Sequence, residues 1–298
     1  MPIRKLLKLM TPSTTGTQSP PDKGQAGPAD EPQLWEPPTE RLSLVFIAGP
    51  PRSGTTWLNR EICDRAGWSG FLPECTLLTQ QIALYSRTKH YGEPKRFAAY
   101  FGTAENLASV YRPILRQMLG LARSLNDCPD GDTLLLKDPD LSLYLEDLGD
   151  VLPDHRLVCI VRDPRDVIAS VKNVSARKKE AFDIKAACTW IYSYYDGIRK
   201  HRAQGSRTAL FVRYEDLVGG TLDQVRTFLG QSTDADAAQA NSGAVEAWLD
   251  PSDPFFSELH LKPTTQQKVG SYKTILTRRE IAEVEAVFSG VMQDWRYR

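Results

Sequence analysis

The sequence predicts a three-layer α/β domain, with a central, mainly parallel sheet and helices on both faces. Three observations carry that prediction. Four short apolar runs, 42–48, 133–136, 156–160 and 208–212, have no helical period, as expected of strands buried on both faces. Each gives way to turn residues and then to a stretch with helical spacing, the alternation from which parallel βα units are built. With 298 residues, 41% of them apolar, and no internal repeat, the chain can bury one large core.

Ahead of the first strand, residues 11–40 are dominated by Pro, Thr, Ser and Gly. Their apolar surface is too small to offset the entropy of ordering, so 1–40 reads as a disordered leader and 41–298 as one domain. The opening MPIRKLLKLM is too short for a signal-peptide core, and no later run has the apolar length of a membrane span. A cytoplasmic protein is the expectation. Five cysteines (Cys63, Cys75, Cys128, Cys159, Cys188), odd in number and without C-x-x-C spacing, fit reduced core thiols. Lys plus Arg equals Asp plus Glu at 37 each, which gives no footprint for a nucleic-acid partner, and four scattered histidines give no metal-ligand cluster.

The first strand stops at Gly49 and passes through Pro50, Pro51, Arg52, Ser53 and Gly54 before a helix opens at Thr55, Thr56 and Trp57. Strand, small-residue loop and helix N-terminus in that order form a phosphate cradle: the unpaired N–H groups of the first turn and the positive end of the helix dipole face the anion. The spacing approaches the triphosphatase loop G-x-x-x-x-G-K-[ST], but Thr55 stands in the lysine's place and the fixed charge is Arg52. Without that lysine, phosphoryl transfer from ATP is not the natural reading; arginine's fork of donors suits a terminal oxyanion. Read alone, the loop could equally be a plain strand-to-helix turn.

Apolar spacing from Leu77 to Leu125 suits several helices laid over the sheet, after a loop that contains Pro73 and Glu74. The run 133–136 ends in Lys137-Asp138-Pro139, which aims a lysine at the crevice where parallel sheets bind ligands. Strand 156–160 leads through VRDPRD into helix 163–173, with Arg162 leaving the strand and Ser170 eight residues on, placed to converge on one anion. Helix 180–201 carries Trp190, Tyr192, Tyr194 and Tyr195 at core-packing spacing. The last strand is followed by RYEDL, and a loop with Lys268 and Ser271 precedes a final amphipathic helix.

On these residues the chain resembles the sulfotransferase family, with features of its bacterial, tyrosine-protein and cytosolic members. The resemblance runs from 42 to the C-terminus and is strongest at PPRSGTTWL, at Arg162 with Ser170, at KDP and at RYEDL. It implies the P-loop nucleotide-hydrolase-like fold and 3′-phosphoadenosine 5′-phosphosulfate (PAPS) as sulfuryl donor, with no metal. It implies further that Arg52, Ser53, Gly54, Thr55 and Thr56 hold the 5′-phosphosulfate, and that Arg162 and Ser170 hold the 3′-phosphate with Lys268 as a further contact. Trp57 and Tyr214 would lie near the adenine, Lys137 at the transferring group, and Ser271 would approach it. Glu74 matches the glutamate base of tyrosine-protein and bacterial members, and a helix-end carboxylate is its structural alternative. The histidine that cytosolic members carry two residues after the lysine is Pro139 here, so Asp138 and Asp140 stand as fallback carboxylates, although aspartates in such places are often caps.

The acceptor stays open between small molecules, carbohydrates, lipids and peptides, with Tyr85, Tyr91, Tyr100 and Trp190 as candidate pocket walls, and so does the oligomeric state. Two other functions compete: a small-molecule kinase with a degenerate phosphate loop, and a catalytically silent nucleotide-binding protein.

Overall fold

The structure, a computed structural model, describes residues 42–63, 67–129, 131–231 and 268–298. The expected leader lies outside the described residues. Four parallel strands form one sheet in the order β2-β1-β3-β4: β1 (Leu44–Ala48), β2 (Leu134–Lys137), β3 (His155–Val161) and β4 (Ala209–Arg213). Leu44 pairs with both Leu134 and His155, and Leu157 with Ala209. All four lie within one or two residues of the predicted runs.

Alternation along the strands divides the core. Phe46, Leu136, Leu157 and Cys159 face a large cluster built with α2 (Thr76–Lys89), α4 (Ala104–Leu125), α5 (Leu145–Val151), α6 (Pro164–Arg177), α7 (Ile184–Ala203) and α9 (Arg278–Asp294). Val45, Ile47, Leu135, Val158 and Ile160 face the opposite way, onto α1 (Thr55–Cys63) and α8 (Leu222–Leu229). Helices therefore cover both faces, and the strands are apolar on both sides through their middles, which is why the runs show no alternation. Between α2 and α4 lies α3 (Pro94–Phe101), which buries none of its residues. Helix starts follow the capping residues: Asp163 accepts from Arg165 N, Asp183 from Lys185 N, and Thr277 with Glu280 forms a capping box.

Sequence order and sheet order disagree at β1, whose two neighbours are reached by connections leaving in opposite directions. Such a switch opens a crevice beyond the C-terminal ends of the strands. The turns after β1, β2, β3 and β4 all converge there. Among the described residues no helix is long and apolar enough to cross a membrane. The five cysteines are free thiols, four of them buried.

Candidate active site

The turn after β1 owes its shape to backbone constraints. Pro51 presets one φ, Ser53 N donates to Pro50 O at 3.0 Å, and Arg52 takes a positive φ of 72°. Left-handed backbone costs a residue with a side chain roughly 1–2 kcal/mol, and here it points the arginine across the crevice. Arg52 Nε donates to Ser170 Oγ on α6 at 3.1 Å. A Cβ on Gly49 would stand 2.3 Å from the Ile160 carbonyl oxygen, and one on Gly54, whose φ is 101°, would stand 2.7 Å from the Tyr214 ring. Both glycines let the loop lie flat against β3 and β4.

Charge and hydrogen bonds shape the turn after β3. Arg162 NH1 donates to the Arg52 carbonyl at 3.3 Å and NH2 to the Lys268 carbonyl at 2.6 Å, while its guanidinium lies 4.7 Å from the centre of the Tyr214 ring. Tyr195 donates to the Arg162 carbonyl, and Glu215 accepts from Asp163 N at 2.9 Å. Burial raises the Glu215 carboxyl above its ordinary range. Arg52 thus meets both Arg162 and Ser170, each more than a hundred positions away along the chain.

Lys137 and Glu74 meet as well. Lys137 Nζ donates to Thr56 Oγ1 at 3.1 Å and to Glu74 Oε1 at 2.7 Å. A backbone pairing brings the two together: residues 74 and 137 form an isolated parallel bridge, and Cys75 N donates to the Lys137 carbonyl. The lysine side chain is 4% exposed and the glutamate 49%, so the ammonium faces the loop and the carboxylate faces the open side. Burial and then the nearby Asp138 push the Cys75 thiol up to about 12, which disfavours its thiolate form. Asp138 and Asp140 turn elsewhere. Asp138 caps the 3₁₀ turn that follows β2, and burial lifts its carboxyl to about 6; Asp140 accepts from the Tyr194 hydroxyl at 2.7 Å.

The remaining expected residues occupy the edges. Trp57 and Tyr214 are buried and pack edge-to-face 6.0 Å apart, where they floor the loop beneath Gly54. Lys268 meets Arg162 through its carbonyl, and the Ser271 hydroxyl donates to Asp166. Among the candidate acceptor walls, Tyr85 is fully buried and bonded to Asp150, whereas Tyr91, Tyr100 and Trp190 are exposed. Sequence reasoning passed over Asp166 and Glu215; a buried acid one helical turn after Arg162, and a second acid inside RYEDL, were the available signals.

Two buried polar groups of these turns remain open to an anion. The Ser53 hydroxyl and Arg162 Nε are buried without a hydrogen-bond partner, and an anion in the turn would give each of them one.

Comparison with known proteins agrees. A family model described as "Sulfotransferase family" matches residues 44–234, more than half of the chain, from β1 to just past α8. No curated protein matches the sequence. The sulfotransferase domain from the curacin biosynthetic pathway superposes with a TM-score of 0.54 at 21% identity, covering 84% of this chain and 99% of that one. The sulfotransferase domain of the Synechococcus PCC 7002 olefin synthase gives 0.49 at 20%, covering 86% and 98%. The first of these supports the fold, and the family model sets membership: the chain belongs to the sulfotransferase family.

Proposed function

We propose that this protein transfers the sulfuryl group of PAPS to a hydroxyl or amine of a small-molecule, carbohydrate or lipid acceptor by in-line displacement. The observation that carries the reading is the joining of two cationic turns: Arg52 donates to Ser170, and Arg162 donates to the Arg52 carbonyl. A nucleotide with charge at both its 5′ and 3′ positions matches two cationic turns joined in this way, whereas ATP concentrates its charge at one end. Arg52 and the 53–56 amides would hold the 5′ side, Arg162 and Ser170 the 3′-phosphate, and Lys268 lies beside the latter. When bound, such a donor supplies an electrophilic sulfur and a phosphate leaving group.

Lys137, nearly enclosed and bonded to Thr56, stabilises charge developing on the leaving oxygen. Glu74, half exposed on the acceptor side, takes the proton released as the acceptor oxygen bonds to sulfur and the sulfur–phosphate oxygen bond breaks. The pairing of Glu74 with Lys137 supports this division, because one contact aligns the base with the electrophilic side of the site.

A thermal-shift panel with Arg162→Ala tests the reading. Wild type should be stabilised by 3′-phosphoadenosine 5′-phosphate without metal, by about 2.7 kcal/mol at a hundred times Kd, and not by ATP with magnesium. The variant should lose affinity for the bisphosphate about tenfold or more while its affinity for adenosine 5′-phosphosulfate changes little. Equal losses for both ligands would remove the 3′-phosphate assignment. Mass spectrometry of acceptor mixtures incubated with PAPS then separates transfer from silent binding.

A further inference from the structure

The Asp166 carboxylate is fully buried on the first turn of α6, one helical turn after Arg162, and everything it touches is a donor. Its Oδ2 accepts from Gly270 N at 2.8 Å; its Oδ1 accepts from Tyr272 N at 2.9 Å and from Ser271 Oγ at 3.1 Å. Arg162 NH2 lies 3.7 Å from Oδ2 and donates to the Lys268 carbonyl of the same segment at 2.6 Å. Two backbone N–H groups, one hydroxyl and one guanidinium therefore share a single acid. A carboxylate accepts at both oxygens and can satisfy all of them, and the start of the helix favours its charge.

We infer that Asp166 is a positioning residue: it straps the segment 268–272 across the turn after β3 and thereby fixes the Arg162 guanidinium at the place where the nucleotide's 3′-phosphate is read. The second half of that statement rests on the function proposed above; the first half does not. Two of the arginine's donor groups reach backbone carbonyls on separate segments, Arg52 on one side and Lys268 on the other. Its geometry is therefore set by two neighbours, and Asp166 determines where one of them lies. Among the described residues, Gly270 N and Tyr272 N both donate to this one carboxylate.

Asp166→Asn tests both halves, because an amide keeps the volume but offers one accepting oxygen and turns a donor toward a donor. Hydrogen exchange of the ligand-free full chain reads the strap: amides of 268–276 should exchange about tenfold faster or more, with the strands unchanged. Unaltered exchange there overturns the strap. Ligand titration reads the positioning: the preference for 3′-phosphoadenosine 5′-phosphate over adenosine 5′-phosphosulfate should fall about tenfold. A preference equal to wild type overturns it. Combined with Arg162→Ala, the loss should be non-additive, since the aspartate acts through the arginine; additive losses overturn the coupling. Ser271→Ala removes one donor and keeps the carboxylate, so it should give a smaller shift of the same sign even if the asparagine variant folds poorly. Should wild type itself show no preference for the bisphosphate, the proposed donor is wrong, and the exchange measurement still decides the strap.

Discussion

The turns after β1 and β3 stand side by side at the same edge of the sheet, yet they are made in opposite ways. The first is a backbone object: two prolines, two glycines and an arginine with φ of 72° leave a low loop pressed against Ile160 and Tyr214. The second contains no glycine and keeps its form through acids, with Asp163, Asp166 and Glu215 each accepting backbone N–H groups. A backbone-built cradle can approach an anion closely but is intolerant of added atoms. One built from charged hydrogen bonds tolerates small volume changes but responds to pH and to loss of an acceptor.

The largest effect should come from adding one carbon to the first turn. Gly49→Ala sets a methyl 2.3 Å from a backbone oxygen of the central sheet, which has no room to retreat; a loss of about 3 kcal/mol in urea unfolding is expected. Pro164→Ala in the second turn should cost no more than about 1 kcal/mol. Similar losses for the two would erase the contrast. Glu215→Gln should cost about 1 kcal/mol and alter the pH dependence. The folded carboxyl is raised above its ordinary value of 4.5 by burial, so the native state holds its proton more tightly than the unfolded one. Stability from this group is present in acid and is lost as pH rises through the raised value. Melting temperatures measured from pH 4.5 upward should show that falling component in wild type and not in the glutamine variant. The smallest effect on stability, and the sharpest on function, belongs to Arg52→Gly: relief of the left-handed strain offsets the added chain entropy, leaving stability within about 1 kcal/mol of wild type. Nucleotide-induced stabilisation should nonetheless vanish. A variant that melts far lower would show that the arginine braces the turn rather than serving a ligand.

Legibility in the sequence followed the same contrast. Local backbone chemistry is written in neighbouring residues, so strand β1 and the start of α1 at Thr55 could be read to within two residues, and so could the start of α6 at Asp163-Pro164. Lys137 and Glu74 were identifiable by residue type at the edges of elements, but not as a pair 2.7 Å apart, because a backbone bridge between segments 63 residues distant makes that contact. Tyr85, a candidate wall of the acceptor pocket by sequence, is buried against α4 and α5, since helical spacing alone does not say which apolar stripe meets the core.

By itself the sequence determined the order of strands and helices and the loop that can cradle an anion, because those follow from propensity and φ preferences acting over a few residues. Only the tertiary structure decided that Arg52 meets Ser170, that Arg162 lies between Arg52 and Lys268, and that Asp166 holds 270–272. Those contacts span more than a hundred residues; the parallel register of β1 and β3 sets the turns of Arg52 and Arg162 side by side, and the buried Asp166 draws in the segment that follows Lys268.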